Sequence, residues 1–103
     1  VRASGARLAL VYAPAIVQIE AEDWEAKKKL HGLIENYDIH KPNERLRKIA
    51  EKHDIPFLDL GPSFNLAAVS STLFYRDSHW NQSGHALAAR NILDFLIERN
   101  WFE

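Results

Sequence analysis

The sequence predicts an α/β domain with parallel strands. Three observations carry that expectation. Two short apolar runs, Arg7 to Tyr12 and Ile55 to Leu60, are each closed by a proline-containing turn, Ala13-Pro14 and Gly61-Pro62. The first suits a buried strand of a parallel sheet better than an alternating surface strand. A helical pattern leads into the second run through a two-residue turn, the rhythm of helix, turn and strand that parallel sheets show.

Each element follows from local signals. Arg7 to Tyr12 reads as the first buried strand, ending in a loop at Ala13-Pro14. From about Glu22 to Asn36, Trp24, Leu30, Leu33, Ile34 and Tyr37 fit one helical face, and Lys27-Lys28-Lys29 falls largely on the wet side. Tyr37 to Lys41 reads as a turn. Pro42 suits the first turn of the next helix, where its missing N–H would be unsatisfied anyway. In that helix Leu46, Ile49, Ala50 and His53 recur at helical spacing and predict a packed face. Ile55 to Leu60 is the second strand, and Ser63 to Thr72 suits a short helix under a loop. Leu73-Phe-Tyr75 is too short to assign. A last helix is expected from Ser83 to about Arg99, with Ala88, Ala89, Ile92, Leu93 and Leu96 toward the core and Arg90, Asn91, Asp94 and Glu98 toward water. Two or three parallel strands make a thin sheet, so the chain reads as the second half of a doubly wound domain. Folded alone, it would be expected to cover its open edge by dimerisation or strand exchange.

Composition narrows the class. The 103 residues are 47% hydrophobic and 26% charged, which suits one globular domain, or a fragment of one, across residues 1–103. A net charge of -1 gives no electrostatic case for nucleic acid or an anionic membrane. No run approaches the roughly 20 apolar residues of a membrane-spanning helix, and the first residues lack the order of a signal peptide, so localisation is not legible. With no cysteine, disulfides, thiolate nucleophiles and cysteine-based zinc sites are excluded. With no methionine, the chain does not start at an initiator, and a processed protein or a piece of a longer one is expected.

The chemistry concentrates in Tyr75 to Leu96, at Asp77-Ser-His-Trp-Asn-Gln-Ser-Gly-His85. In an extended segment, residues i and i+2 point to one side, so Asp77 and His79 would meet. A carboxylate on one imidazole nitrogen fixes the tautomer and stabilises the imidazolium formed when the other nitrogen takes a proton. Ser78 would then face the other way and is a poor nucleophile. Trp80 reads as a large apolar anchor for the loop. Asn81 or Ser83 would cap the following helix, and Gly84 would allow a close approach. His85 would hydrogen-bond back to the loop. Asp77, His79 and His85 also define a metal reading, but Asp-x-His-x5-His is not a common ligand spacing and lacks a fourth ligand, so neither metal nor cofactor is expected. His31, His40 and His53 read as structural or surface residues, and Asp59 as a turn former toward Gly61.

Asp-x-His-Trp-Asn-x-x-Gly-His, followed by an amphipathic helix, resembles the C-terminal block of the SGNH hydrolases, the GDSL-like esterases and acyl transferases. It is similar to bacterial members ending in Asp-x-His-Trp-Asn and to relatives that O-acetylate polysaccharides. Tyr12-Ala-Pro14, the Trp24 that follows it, Asn43-x-x-Leu-x-x-Ile-Ala50 and Ile55-Pro-x-x-Asp-Leu60 agree in order. The resemblance implies the C-terminal half of a flavodoxin-like three-layer α/β/α fold, in which Asp77 would be the triad acid and His79 the general base. It also implies a small-molecule or carbohydrate acyl ester as substrate, and an extracytoplasmic location. The acid stands two residues before the histidine, as in the polysaccharide-acetylating relatives, where three is commonest in the family. The family's nucleophilic serine lies in a Gly-Asp-Ser block after the first strand, and its oxyanion glycine and asparagine in two later blocks, all normally upstream of such a segment. Ser4-Gly5 precedes a strand and does not fit, and Asn81 belongs to the last block. A general base without nucleophile or oxyanion donors supplies no acyl-transfer route, so the chain alone is expected to be inactive. A non-catalytic α/β interaction module, with the motif as a helix cap only, is the other reading.

Overall fold

The computed structural model describes residues 5–31 and 38–101. Strands β1 (Leu10–Tyr12) and β2 (Phe57–Asp59) pair in parallel, with Leu10 opposite Phe57, Val11 opposite Leu58 and Tyr12 opposite Asp59. Around them lie α1 (Ile16–Ile19), α2 (Ala21–His31), α3 (Lys41–Lys52), α4 (Gly61–Ala67) and α5 (Gln82–Glu98). The chain is therefore α/β, a parallel two-stranded sheet with flanking helices. Among the described residues no helix is long and apolar enough to cross a membrane.

Alternation along the strands separates the two faces of the sheet. Phe57 and Asp59 meet α3, through the Arg47 guanidinium 5.1 Å from the Phe57 ring centre and the Asn43 amide on the Asp59 carboxylate. On the other face Leu58 packs against a core of Ile16, Leu60, Phe64, Leu73, Phe74 and Ala88. Phe64 and Leu60 are completely buried there. That core joins α1, α4, the start of α5 and the loop before α5, so it sits directly beneath the motif. Fully burying one such side chain stabilises the fold by roughly 1.5–3 kcal/mol.

Several expectations are corrected. The first run is a strand only from Leu10, and Leu8 and Val11 are exposed, because two short strands give little for flanking helices to cover. Helix α1 follows Pro14, where only a loop was expected; Gln18 stabilises its start by accepting the Ala15 N–H at 2.9 Å. In α2, Leu30 is 78% exposed and does not face the core, while Leu33, Ile34 and Tyr37 lie outside the described residues. Pro42 stands in the first turn of α3, yet of the expected face only Ala50 is fully buried, and Ile49 and His53 are exposed. The buried line of α5 is Gly84, Ala88 and Phe95, with Leu87 packed beside it. Leu93 and Ala89 are exposed, and Asn91 turns inward to accept the Ser63 hydroxyl at 2.7 Å.

Candidate functional site

The segment from Leu73 to Asn81 is a hairpin. Phe74 and Trp80 form an antiparallel bridge. Beyond it, the Tyr75 N–H donates to the His79 carbonyl at 2.8 Å, and the Ser78 N–H donates to the Tyr75 carbonyl at 3.0 Å. Ser78 has φ +74, the left-handed region. A turn closed by a left-handed residue, with one extra residue on the returning strand, is a three-residue hairpin loop with a bulge. Ser78 has taken the carbonyl that His79 would otherwise use. The His79 N–H, displaced from the ladder, donates instead to Asp77 Oδ1 at 3.1 Å.

The same carboxylate also meets the ring. Asp77 Oδ2 lies 3.3 Å from His79 Nδ1. The pair arises from this bulged turn and not from the alternation of an extended segment that the spacing suggested. The Asp77 carboxyl is held below the usual aspartate range, first by the His79 N–H, with the His79 ring adding to the effect and burial opposing it. An ionised carboxylate at Nδ1 leaves Nε2 free to exchange a proton, and the His79 side chain is 83% exposed. Among the described residues no hydroxyl is hydrogen-bonded to His79.

Both ends of the hairpin are clamped at the start of α5. Asn81 caps the helix, its Oδ1 accepting the Gly84 N–H at 2.9 Å while its Nδ2 donates to the Thr72 carbonyl at 2.7 Å. The Asn81 N–H closes the base of the hairpin on the Leu73 carbonyl at 3.0 Å. Gly84 is required by space. A Cβ there would overlap the Leu73 carbonyl oxygen and come within 3.0 Å of Trp80 Cβ. The Trp80 ring packs on Phe64 at 5.4 Å, with Phe74 at 6.0 Å from the same ring. His85 meets the loop edge-on at the Trp80 ring, 5.4 Å between centres, and not through the hydrogen bond that was expected.

A second cluster lies at the carboxyl ends of the strands, where open α/β sheets build sites. The Asp59 side chain, only 7% exposed, accepts the Gly61 N–H at 2.8 Å and the Asn43 amide at 2.8 Å. Gln18 connects to the same group, accepting the Tyr12 hydroxyl at 2.9 Å and donating to the Ile39 carbonyl and Asn43 Oδ1. Tyr12, Gln18, His40, Asn43, Asp59 and Gly61 line a cavity of about 200 Å³ here. The turn at Asp59 and Gly61 was readable in the sequence. The links of Gln18 and Asn43 to it were not, because nothing in a helical amide signals a partner on another element.

A family model for the SGNH hydrolase-like domain of the acetyltransferase AlgX matches residues 1–103. The chain belongs to this family. No curated protein matches it, and no solved structure does. Within this SGNH hydrolase-like chain, Asp77, His79, Trp80, Asn81, Gly84 and His85 form one connected unit at the start of α5, while the Asp59 cluster sits at the opening of α4. His53 is exposed at the end of α3, and the His31 side chain lies outside the described residues. No group of three metal-ligand side chains stands together among the described residues.

Proposed function

We propose that residues 1–103 contribute the acid and base of an acyl-transferring SGNH domain, with His79 as general base and Asp77 as the carboxylate that orients it. The observation that supports this is the double hold of Asp77, on both the His79 N–H and Nδ1, with Nε2 left accessible. An imidazole set in this way takes a proton from an attacking hydroxyl and returns it to the departing oxygen. The nucleophilic serine and the oxyanion donors come from sequence outside these residues. Residues 1–103 alone therefore turn over no ester. The substrate is an acyl ester of a small molecule or carbohydrate, and the open edges of the two-stranded sheet suit strands from the rest of the domain or from a second copy.

The test uses the full-length protein. Replacing His79 with alanine removes the proton carrier and lowers turnover of an ester such as p-nitrophenyl acetate by roughly 10²–10⁴-fold. D77N keeps a similar shape but removes the charge that stabilises the imidazolium, and turnover falls in the same direction. Unchanged turnover in H79A, with the fold intact, refutes the proposal in favour of an interaction module whose motif is a helix cap.

A further inference from the structure

Alternation divides the hairpin into two faces. Phe74 and Trp80 form the bridge, and both rings pack inward on Phe64. The next pair outward is Tyr75 and His79, joined by the Tyr75 N–H on the His79 carbonyl, and it points the opposite way. Exposure agrees, with Tyr75 57% and the His79 side chain 83% exposed. Facing residues of an antiparallel pair have Cβ atoms roughly 4.5–5.5 Å apart, so the Tyr75 and His79 side chains leave the hairpin from neighbouring positions on its exposed face, without their rings touching. Among the described residues no hydrogen bond, ion pair or ring contact engages the Tyr75 side chain. Its backbone is nevertheless fixed on both sides, through its N–H to His79 and its carbonyl from Ser78.

We propose that Tyr75 is a substrate-contact residue that holds the alcohol portion of the ester on which Asp77 and His79 act. The proposal rests on the acyl-transfer reading above. In that reaction the nucleophile's oxygen bonds to the acyl carbon, and its proton passes to His79 Nε2. The bond from the acyl carbon to the alcohol oxygen then breaks, and the proton passes from Nε2 to that departing oxygen. The atom that meets the imidazole therefore belongs to the alcohol and not to the acyl chain. A side chain that rises from the position facing His79 on the same exposed face is within reach of that alcohol too. Tyr75 offers it a flat apolar face for alkyl or ring C–H groups, with a hydroxyl at the rim. Only two side-chain torsions need ordering, so little entropy opposes the contact.

The experiment uses the full-length protein and two series of substrates, acetate esters of different alcohols and p-nitrophenyl esters of different acyl chains. Y75A raises KM for the acetates of larger alcohols by roughly three- to tenfold at nearly constant kcat, the signature of lost uniform binding. It alters the ranking among alcohols and leaves the ranking among acyl chains as it was. Y75F, which keeps the flat face and loses only the rim hydroxyl, retains the ranking among alcohols that Y75A alters. An unchanged ranking among alcohols, or a changed ranking among acyl chains, overturns the proposal. So does loss of the lowered Asp77 pKa in Y75A, because that would make Tyr75 a support of the hairpin. Failure of the two readings is distinguishable: unaffected turnover in H79A removes acyl transfer itself, whereas loss of turnover in H79A with an unmoved alcohol ranking in Y75A removes only the role of Tyr75.

Discussion

Replacing Gly84 with alanine tests whether the helix start and the hairpin are one packed unit. At an ordinary position early in a helix, glycine to alanine is favourable by about 1 kcal/mol. At Gly84 the new methyl would occupy the place of the Leu73 carbonyl oxygen and press on Trp80, 3.0 Å from its Cβ and 3.3 Å from its Cγ. The obstacle is main chain and cannot rotate away. Relief requires the hairpin base to move off α5, which breaks the Asn81 N–H bond to the Leu73 carbonyl and the cap from Asn81 Oδ1 to the Gly84 N–H. Each costs about 1 kcal/mol. Disturbing the contact of Trp80 with Phe64 adds about 1–3 kcal/mol of overpacking. Set against the propensity gain, G84A is expected to destabilise the full-length protein by about 2–4 kcal/mol, read by urea unfolding. Turnover should fall with it, because the displaced base carries Asp77 and His79. The exposed neighbour Ser83, changed to alanine, should stay within about 0.5 kcal/mol. A G84A protein as stable as its parent, or more stable, would refute the close approach.

Three further outcomes follow from the same geometry. The Asp77 carboxyl, followed by carbon NMR, should titrate below the ordinary aspartate value of about 3.9, and H79A should keep much of that depression because the main cause is a backbone N–H; return to the ordinary value in H79A would show that the ring does the work. Because the folded pKa is lowered, ionised Asp77 favours the folded hairpin above the unfolded value, and that contribution disappears as pH falls through the folded one. S78G should keep the hairpin and stabilise the protein by up to about 1 kcal/mol, since glycine takes the left-handed corner without the Cβ penalty; a loss of stability in unfolding experiments would contradict the φ of Ser78. D59A removes two hydrogen bonds to a buried carboxylate and should cost about 3 kcal/mol, with little from the half-exposed Arg47 at 3.6 Å; a cost under about 1 kcal/mol would show that water replaces the carboxylate freely.

Local signals located most elements. The proline at the start of α3, the capping Asn81 and the apolar runs of both strands are short-range features, read within a few residues of where they act. Depth was harder to read. The periodicity of Leu46, Ile49 and Ala50 names a helical face but not how much of it is covered, and a two-stranded sheet leaves Ile49 exposed. Phe95, adjacent to the expected face of α5, is buried and Leu93 is not, because Phe95 lies on the same side of the helix as Gly84 and Ala88.

The α/β class and the nearness of Asp77 to His79 were legible in the sequence, since two residues apart along the chain they cannot be far apart in space. How they meet was decided by tertiary structure. Burial of Phe74 and Trp80 on Phe64 sets the hairpin register, that register puts Ser78 at the left-handed corner, and the corner turns the His79 N–H toward Asp77. The union of Gln18, Asn43 and Asp59 likewise required three elements to pack, because a polar side chain carries no mark of its distant partner until burial makes an unpaired group costly.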